Sequence, residues 1–170
     1  MIATPTGFFG LVHLAYERMC DERGSFGRLW CRDILLNAGL DFVPLQASLS
    51  ESPKTGTLRG LHWQEEPHGE SKLLQVLRGH IFDVVVDPDT RRWFARELEA
   101  GEGFLIPAGL AHGFLTLSDD VQLLYMMDRP YVPEASRGLR HDDPALAISW
   151  PVAPTIIGAR DLVWPLLPPS

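Results

Sequence analysis

Arg78-Gly79-His80-Ile81-Phe82-Asp83-Val84-Val85-Val86-Asp87 is the stretch on which the reading of this chain turns. Its β-branched and aromatic side chains favour a pleated, extended backbone, and Arg78-Gly79-His80 supplies a turn ahead of them. On either side, from about Thr57 to Met127, short apolar runs recur between Gly, Pro and Asp: Lys72 to Leu77, Phe104 to Ile106, Gly113 to Leu117 and Val121 to Met127. Runs of this length with turn residues between them predict antiparallel strands in a sandwich or barrel. Helical periodicity is confined to Cys31 to Ala38, with Asp33 as cap and Gly39 as stop, and to a turn near Asp143 to Ala147. The Pro-rich segment Trp150 to Ser170 reads as an extended arm, because Pro fixes φ and removes a donor. The expectation is an all-β jelly roll, about eight strands in two sheets, with a few short helices, forming one domain over residues 1–170.

Composition narrows the function. The chain has 170 residues, 45% hydrophobic and 22% charged, with a formal net charge of -7, enough for one full core. No apolar run approaches the roughly 20 residues of a membrane-spanning helix, and Thr6 to Ala15 lacks the basic start and cleavage site of a signal peptide. Neither a membrane nor nucleic acid is expected as a partner, since phosphate-backbone binding rests on many Lys and Arg contacts. Cys20 and Cys31 are too few for a disulfide framework and are expected as thiols in the cytoplasm.

The most specific local signal is Gly101-Glu-Gly-Phe-Leu-Ile-Pro107-Ala-Gly109-Leu-Ala-His112. This spacing resembles the second motif of the cupin family, and it implies a cupin-type double-stranded β-helix with His112 facing the mouth. The metal-binding members carry an earlier motif with two His and a Glu. Here that stretch reads Gly60-Leu61-His62-Trp63-Gln64-Glu65, with one His, so no metal is expected. Chemistry then falls to side chains, with His62, Lys72, His112, Tyr125, Tyr131 and Asp161 as candidates for an acid/base site. A His takes up a proton near neutrality, a carboxylate orients its ring, and a Tyr can return a proton. Such a set suits abstraction beside a carbonyl, with a cation stabilising the enolate.

The chain resembles the dTDP-4-dehydrorhamnose 3,5-epimerase family in an ordered set of segments: Asp21-Glu22-Arg23-Gly24, Leu58-Arg59-Gly60-Leu61-His62-Trp63-Gln64, Lys72-Leu73, Phe82 to Asp87, Ile106-Pro107, Ala111-His112-Gly113-Phe114, Tyr125, Tyr131 and Ser149-Trp150-Pro151. The resemblance implies a cofactor-free isomerase acting at C3, C5 or both of a nucleotide-diphosphate 4-keto-6-deoxy sugar, in deoxysugar biosynthesis of the kind that supplies lipopolysaccharide. It implies His62 as base, Asp161 as its carboxylate partner, Tyr125 as acid and Lys72 as the cation at the enolate oxygen. Arg23 and Arg59 match phosphate- and sugar-contacting positions, His112 a binding position and Tyr131 the aromatic that stacks on the base. Arg160 stands where the family has Lys. A homodimer with exchanged N-terminal strands is also implied.

Three departures bear on the substrate. Arg28 stands where the family has Glu, Gln46-Ala47-Ser48 replaces a Gln-Asp/Val-Asn segment, and Ser136 replaces an acidic residue downstream of Tyr131. Arg28, Gln46 and Ser48 are therefore counted among the substrate-binding positions, with dTDP, CDP and GDP donors all open. A 3,4-ketoisomerase on a similar substrate and a sugar-nucleotide-binding cupin without turnover are the alternatives.

Overall fold

The fold is described from a computed structural model over residues 1–168. In chain order the strands are β1 (Ile2–Pro5), β2 (Val12–Ala15), β3 (Arg18–Asp21), β4 (Gly24–Gly27), β5 (Gln46–Ser52), β6 (Thr57–Gln64), β7 (Lys72–Arg78), β8 (His80–Val86), β9 (Trp93–Glu99), β10 (Glu102–Ile106), β11 (Ala111–Thr116), β12 (Val121–Met127), β13 (Ser136–Gly138) and β14 (Ile156–Ile157). Helix α1 (Arg32–Asn37) lies between β4 and β5.

Two six-stranded sheets carry the fold. The first has the order β1-β2-β10-β7-β12-β5; the second runs β13-β6-β11-β8-β9, with β14 added to β6. Apart from the parallel β14–β6 pair, the pairings are antiparallel. Sequence-adjacent strands such as β7 and β8 lie in opposite sheets, which is the winding of a cupin-type jelly roll. The two sheets are larger than the eight strands expected, because the N-terminal segments and β9, β13 and β14 lack a long apolar run. They are held by pairing rather than by their own patterning.

Apolar side chains fill the space between the sheets. Leu74, Val76, Ile81, Val85, Leu98, Phe104, Ile106, Phe114, Val121 and Leu123 form this core. The central strands show their other faces to separate layers, as the period of two allows. Val84, Val86, Leu61 and Ala111 pack under Leu139, Leu146 and the arm residues Trp150 and Leu167. Leu73, Leu105, Val12 and Leu14 pack under Leu35 and Phe42. Burial on both faces explains why Ile81 to Val86 reads as an apolar run broken only by Asp83.

The helix corrects one expectation. Cys31, in extended backbone, is its N-cap and makes no side-chain capping bond, while Asp33 lies in the first turn. Gly39 ends it with φ near +77°, a conformation that glycine adopts without strain. Asp143 to Ala147 closes a single turn, in which the amides of Leu146 and Ala147 both donate to the Asp143 carbonyl. The arm from Trp150 is extended only in part: it adds β14 to β6 and then turns through a 3-10 segment, Ala159–Leu162. Pro169 and Ser170, at the end of the expected arm, lie outside the described residues. Among those described, no helix is long and apolar enough to cross a membrane, and Cys20 and Cys31 are both free thiols.

Candidate active site

The inward faces of several strands are apolar over most of their length and turn polar at one end of the sandwich. Along β7 the inward residues run Val76, Leu74, Lys72. Along β12 they run Val121, Leu123, Tyr125, and along β11, Phe114 then His112. The polar ends meet in a cavity of about 290 Å³, lined by Ser50, Arg59, His62, Lys72, His112, Phe114, Tyr125, Met127 and Asp161. Six of these are residues that the sequence proposed. A larger hollow of about 540 Å³ lies elsewhere, over the β3–β4 hairpin. It holds none of the proton-transfer groups, so chemistry rather than size selects the smaller one.

A bulge sets the key geometry on β6. His62 is opposite His112 and Arg59 is opposite Phe114, so Gly60 and Leu61 of β6 stand against Gly113 alone on β11. The extra residue breaks the alternation and brings Arg59 and His62 to the same face, leaving Leu61 in the outer layer. Gly60, with φ near +114°, sits in this irregularity. A Cβ there would lie 2.5 Å from the Gly113 Cα.

His62 and Asp161 are 99 residues apart in sequence and meet at 2.6 Å, ring Nε2 to Oδ1. The 3-10 turn of the arm delivers the carboxylate, and the Gly60 amide donates to its Oδ2 at 3.2 Å. Burial pushes the Asp161 carboxyl up, but its contacts with His62 and the Gly60 amide outweigh this and hold it below the ordinary value. The pair therefore stays ionised on the Asp side and fixes the ring's orientation.

A second pair lies beside the first. His112 Nε2 is 2.8 Å from Asp83 Oδ2, with both side chains almost wholly buried. Burial raises the Asp83 carboxyl above its ordinary value against the pull of His112. Asp83 is not among the residues named from the sequence, although its parity with Ile81 and Val85 places it on the core-facing side of β8. A single carboxylate on an otherwise apolar inner face was the available signal.

On the opposite sheet, Tyr125 packs against the core with its ring 5.9 Å from that of His112. Burial, reinforced by the Asp83 charge, pushes its phenol well above the usual range. It is therefore a neutral O–H donor near neutral pH. Lys72 donates to the His62 carbonyl at 2.9 Å and stands 3.4 Å from Glu70, a buried partner that sequence reading did not name. Burial draws the Lys72 ammonium below its ordinary value, while Glu70 opposes the shift.

The expected binding residues divide into two groups. Arg59 reaches the cavity and donates to Ser52 Oγ at 3.2 Å and to the Glu51 carbonyl at 3.0 Å. By strand alternation, Gln46 and Ser48 share the face of Ser50, which lines the cavity, and Ser48 lies opposite Tyr125. Tyr131, half-exposed, lies beside Arg160, which donates to its hydroxyl at 3.4 Å and to Ser136 Oγ at 2.8 Å. The Arg160 contact draws the Tyr131 phenol down. Arg23 and Arg28 are not brought to the cavity of their own chain: Arg23 is exposed at the β3–β4 turn and paired with Asp21, and Arg28 is exposed just beyond the hairpin. Among the described residues, no group of three or more His, Cys, Asp or Glu converges as a metal cluster.

An imidazole with its carboxylate on one sheet, a neutral phenol on the other and a buried ammonium line one cavity, an arrangement chemically suited to moving protons across a ring held between them. The class is a cupin-type epimerase. A family model described as dTDP-4-dehydrorhamnose 3,5-epimerase matches residues 5–168. The dTDP-4-dehydrorhamnose 3,5-epimerase of Sinorhizobium fredii is 40% identical over 159 residues, 86% of this chain and 80% of that one. The crystal structure of the Bacillus anthracis enzyme of the same name, with TDP and PPi bound, superposes with a TM-score of 0.91 at 34% identity, covering 98% of this chain and 99% of that one. A Legionella pneumophila dTDP-6-deoxy-D-glucose-3,5-epimerase in complex with dTDP-4-keto-L-rhamnose gives 0.89 at 31%, covering 97% and 92%. The chain belongs to the dTDP-4-dehydrorhamnose 3,5-epimerase family. It is an isomerase of deoxysugar biosynthesis that acts by epimerisation, with a nucleotide sugar as substrate.

Proposed function

We propose that this protein inverts C3, C5 or both of a nucleotide-diphosphate 4-keto-6-deoxyhexose, with His62, Tyr125, Lys72 and Asp161 as its working residues. The observation that carries the assignment is the facing of His62 and Tyr125 from opposite sheets across one cavity. His62 removes the proton beside the C4 ketone and becomes an imidazolium, with Asp161 fixing its ring and its tautomer. The C–H electron pair becomes the enolate, whose oxygen is stabilised by the Lys72 ammonium. Tyr125 then gives its proton to the carbon from the other face, so configuration inverts. Arg59, Gln46, Ser48 and His112 hold the sugar and diphosphate, while Tyr131 and Arg160 offer an aromatic face and a cation to the nucleotide.

The proposal extends to the whole protein as one cupin-like domain, placed in the cytoplasm and paired as a homodimer through its N-terminal strands. The β3–β4 hairpin supports the dimer: Met19 is 69% and Phe26 67% exposed, a large apolar display for a tip that also carries Arg23. In a dimer this tip covers the neighbouring copy and offers Arg23 to the diphosphate there, with Arg28 close behind.

Proton NMR in deuterated buffer with dTDP-, CDP- and GDP-linked 4-keto-6-deoxyhexoses tests the reading. The C3 or C5 signal, or both, should disappear, and His62→Ala should slow the exchange by about 10²–10⁴-fold, the usual contribution of a general base. Binding without exchange on every donor would overturn it in favour of a non-catalytic cupin.

A further inference from the structure

An inversion leaves the site unable to repeat itself. One proton has entered His62 and one has left Tyr125, so the site holds an imidazolium and a phenolate until both are reset. His62 has a route to bulk water, since its side chain is 38% exposed. Tyr125 lines the same cavity with its ring packed against the core cluster, so its contact with water is lost when a sugar fills that cavity. The groups facing it come from several strands: Arg59 and His62 from β6, Lys72 from β7, Asp83 from β8 and His112 from β11. Arg59 is a permanent cation and supplies no proton at neutral pH. Lys72 is occupied by the His62 carbonyl and Glu70.

Resting on the epimerase reading above, we propose that His112, anchored by Asp83, reloads Tyr125 with a proton after each inversion. His112 is placed for this on two sides. Its ring is edge-on to that of Tyr125 at 5.9 Å, and it sits directly opposite His62 in the β6–β11 ladder, next to the group that gains the proton. Behind it Asp83 is wholly buried, with Oδ2 on His112 and Oδ1 without a hydrogen-bond partner among the described residues. An imidazolium at His112 is stabilised by that carboxylate, which holds the Nε2 proton and leaves the other ring nitrogen to carry the transferred one. The reset is balanced: the His112 imidazolium gives H⁺ to the Tyr125 phenolate, both become neutral, and His112 is recharged from His62 or solvent. When two centres are inverted in one visit, the reload takes place with the sugar plugging the mouth. A donor seated on the wall of the site, rather than bulk water, then becomes necessary.

The experiment separates the first inversion from repeated turnover. His112→Gln keeps a donor for Asp83 but cannot carry the proton, and Asp83→Asn keeps the side-chain shape while removing the carboxylate. Rapid-quench measurements with enzyme near substrate concentration, both above KM, should show a first inversion slowed less than the turnovers after it, with at most one product per site in the fast phase. Because His112→Gln also loses a hold on the sugar, the ratio of the two phases is what is read. The following steady state should be slower by at least about tenfold, within the span that a positioned proton-transfer group contributes. Added imidazole should restore the slow phase of His112→Gln and leave the fast one unchanged. Equal slowing of both phases, or an unchanged steady state, in a variant with wild-type circular dichroism would overturn the proposal, and either variant suffices if the other fails to fold. Wild-type protein that exchanges no C3 or C5 proton would instead refute the epimerase reading itself.

Discussion

At the scale of single residues, burial shifts two of the proposed working groups in opposite directions, the Tyr125 phenol upward and the Lys72 ammonium downward. The Tyr125 phenol is neutral near pH 7 even at its ordinary value, and burial with the Asp83 charge pushes it further up, which suits the donor role proposed for it. The Lys72 ammonium has its pKa drawn below the ordinary value by burial, against the pull of Glu70. Its charge is present below that pKa and is lost as pH rises through it, and the stabilisation of the enolate goes with it. The alkaline fall of kcat should therefore begin below the ordinary lysine value of about 10.4. In Lys72→Arg, whose guanidinium keeps its proton at any working pH, the fall should move upward, even at a reduced plateau. A pH–rate profile of both proteins checks this, and an unmoved alkaline limb would remove Lys72 from the charge-stabilising role.

At the scale of elements, the β6 bulge is the feature on which the site depends. Regular alternation would send Arg59 and His62 to opposite faces, and the irregularity at Gly60 brings them together. Gly60 also donates its amide to Asp161 and packs against Gly113 and the His112 carbonyl. A methyl group there meets backbone on the neighbouring strand, which cannot swing aside, and it also disfavours the positive φ. Gly60→Ala should cost roughly 1–3 kcal/mol in urea unfolding, the usual range for overpacking, and lower activity further by displacing His62 and Asp161. Unchanged unfolding with normal activity would show that the bulge relaxes without consequence. The strand itself was foreshadowed by little more than the start of the apolar region at Thr57. Its bulge was not legible, because a two-residue period in the sequence carries no record of where a partner strand inserts an extra residue.

At the scale of the whole molecule, the exposed hairpin is the outstanding feature. Met19 and Phe26 bracket a tip that nothing among the described residues buries, and Arg23 there pairs with Asp21. The dimer proposal predicts a particle of twice the 19.0 kDa chain mass by light scattering. A Met19→Glu/Phe26→Glu variant should shift it to monomer and weaken nucleotide binding, because Arg23 would no longer reach a second mouth. A wild-type monomer with full activity would remove the dimer and return Arg23 to the role of a surface charge.

Local chemistry determined the elements that the sequence made plain. The β-branched run of β8, the Gly-Pro-Gly spacing before His112 and the short helix ending at Gly39 follow from side-chain shape and backbone freedom within a few residues, so they could be read directly. The candidates His62, Lys72, His112, Tyr125 and Asp161 were also named from sequence, through motif order and resemblance. What only the tertiary structure decided was their pairing. His62 meets Asp161 across 99 residues because β14 lies along β6. Asp83 becomes the partner of His112 because β8 and β11 are neighbours in one sheet. Arg23 and Arg28 fall outside the cavity because their hairpin leaves the sandwich. Each of these depends on which strands lie side by side, and that is set by the burial of both sheets against one another rather than by any stretch of sequence alone.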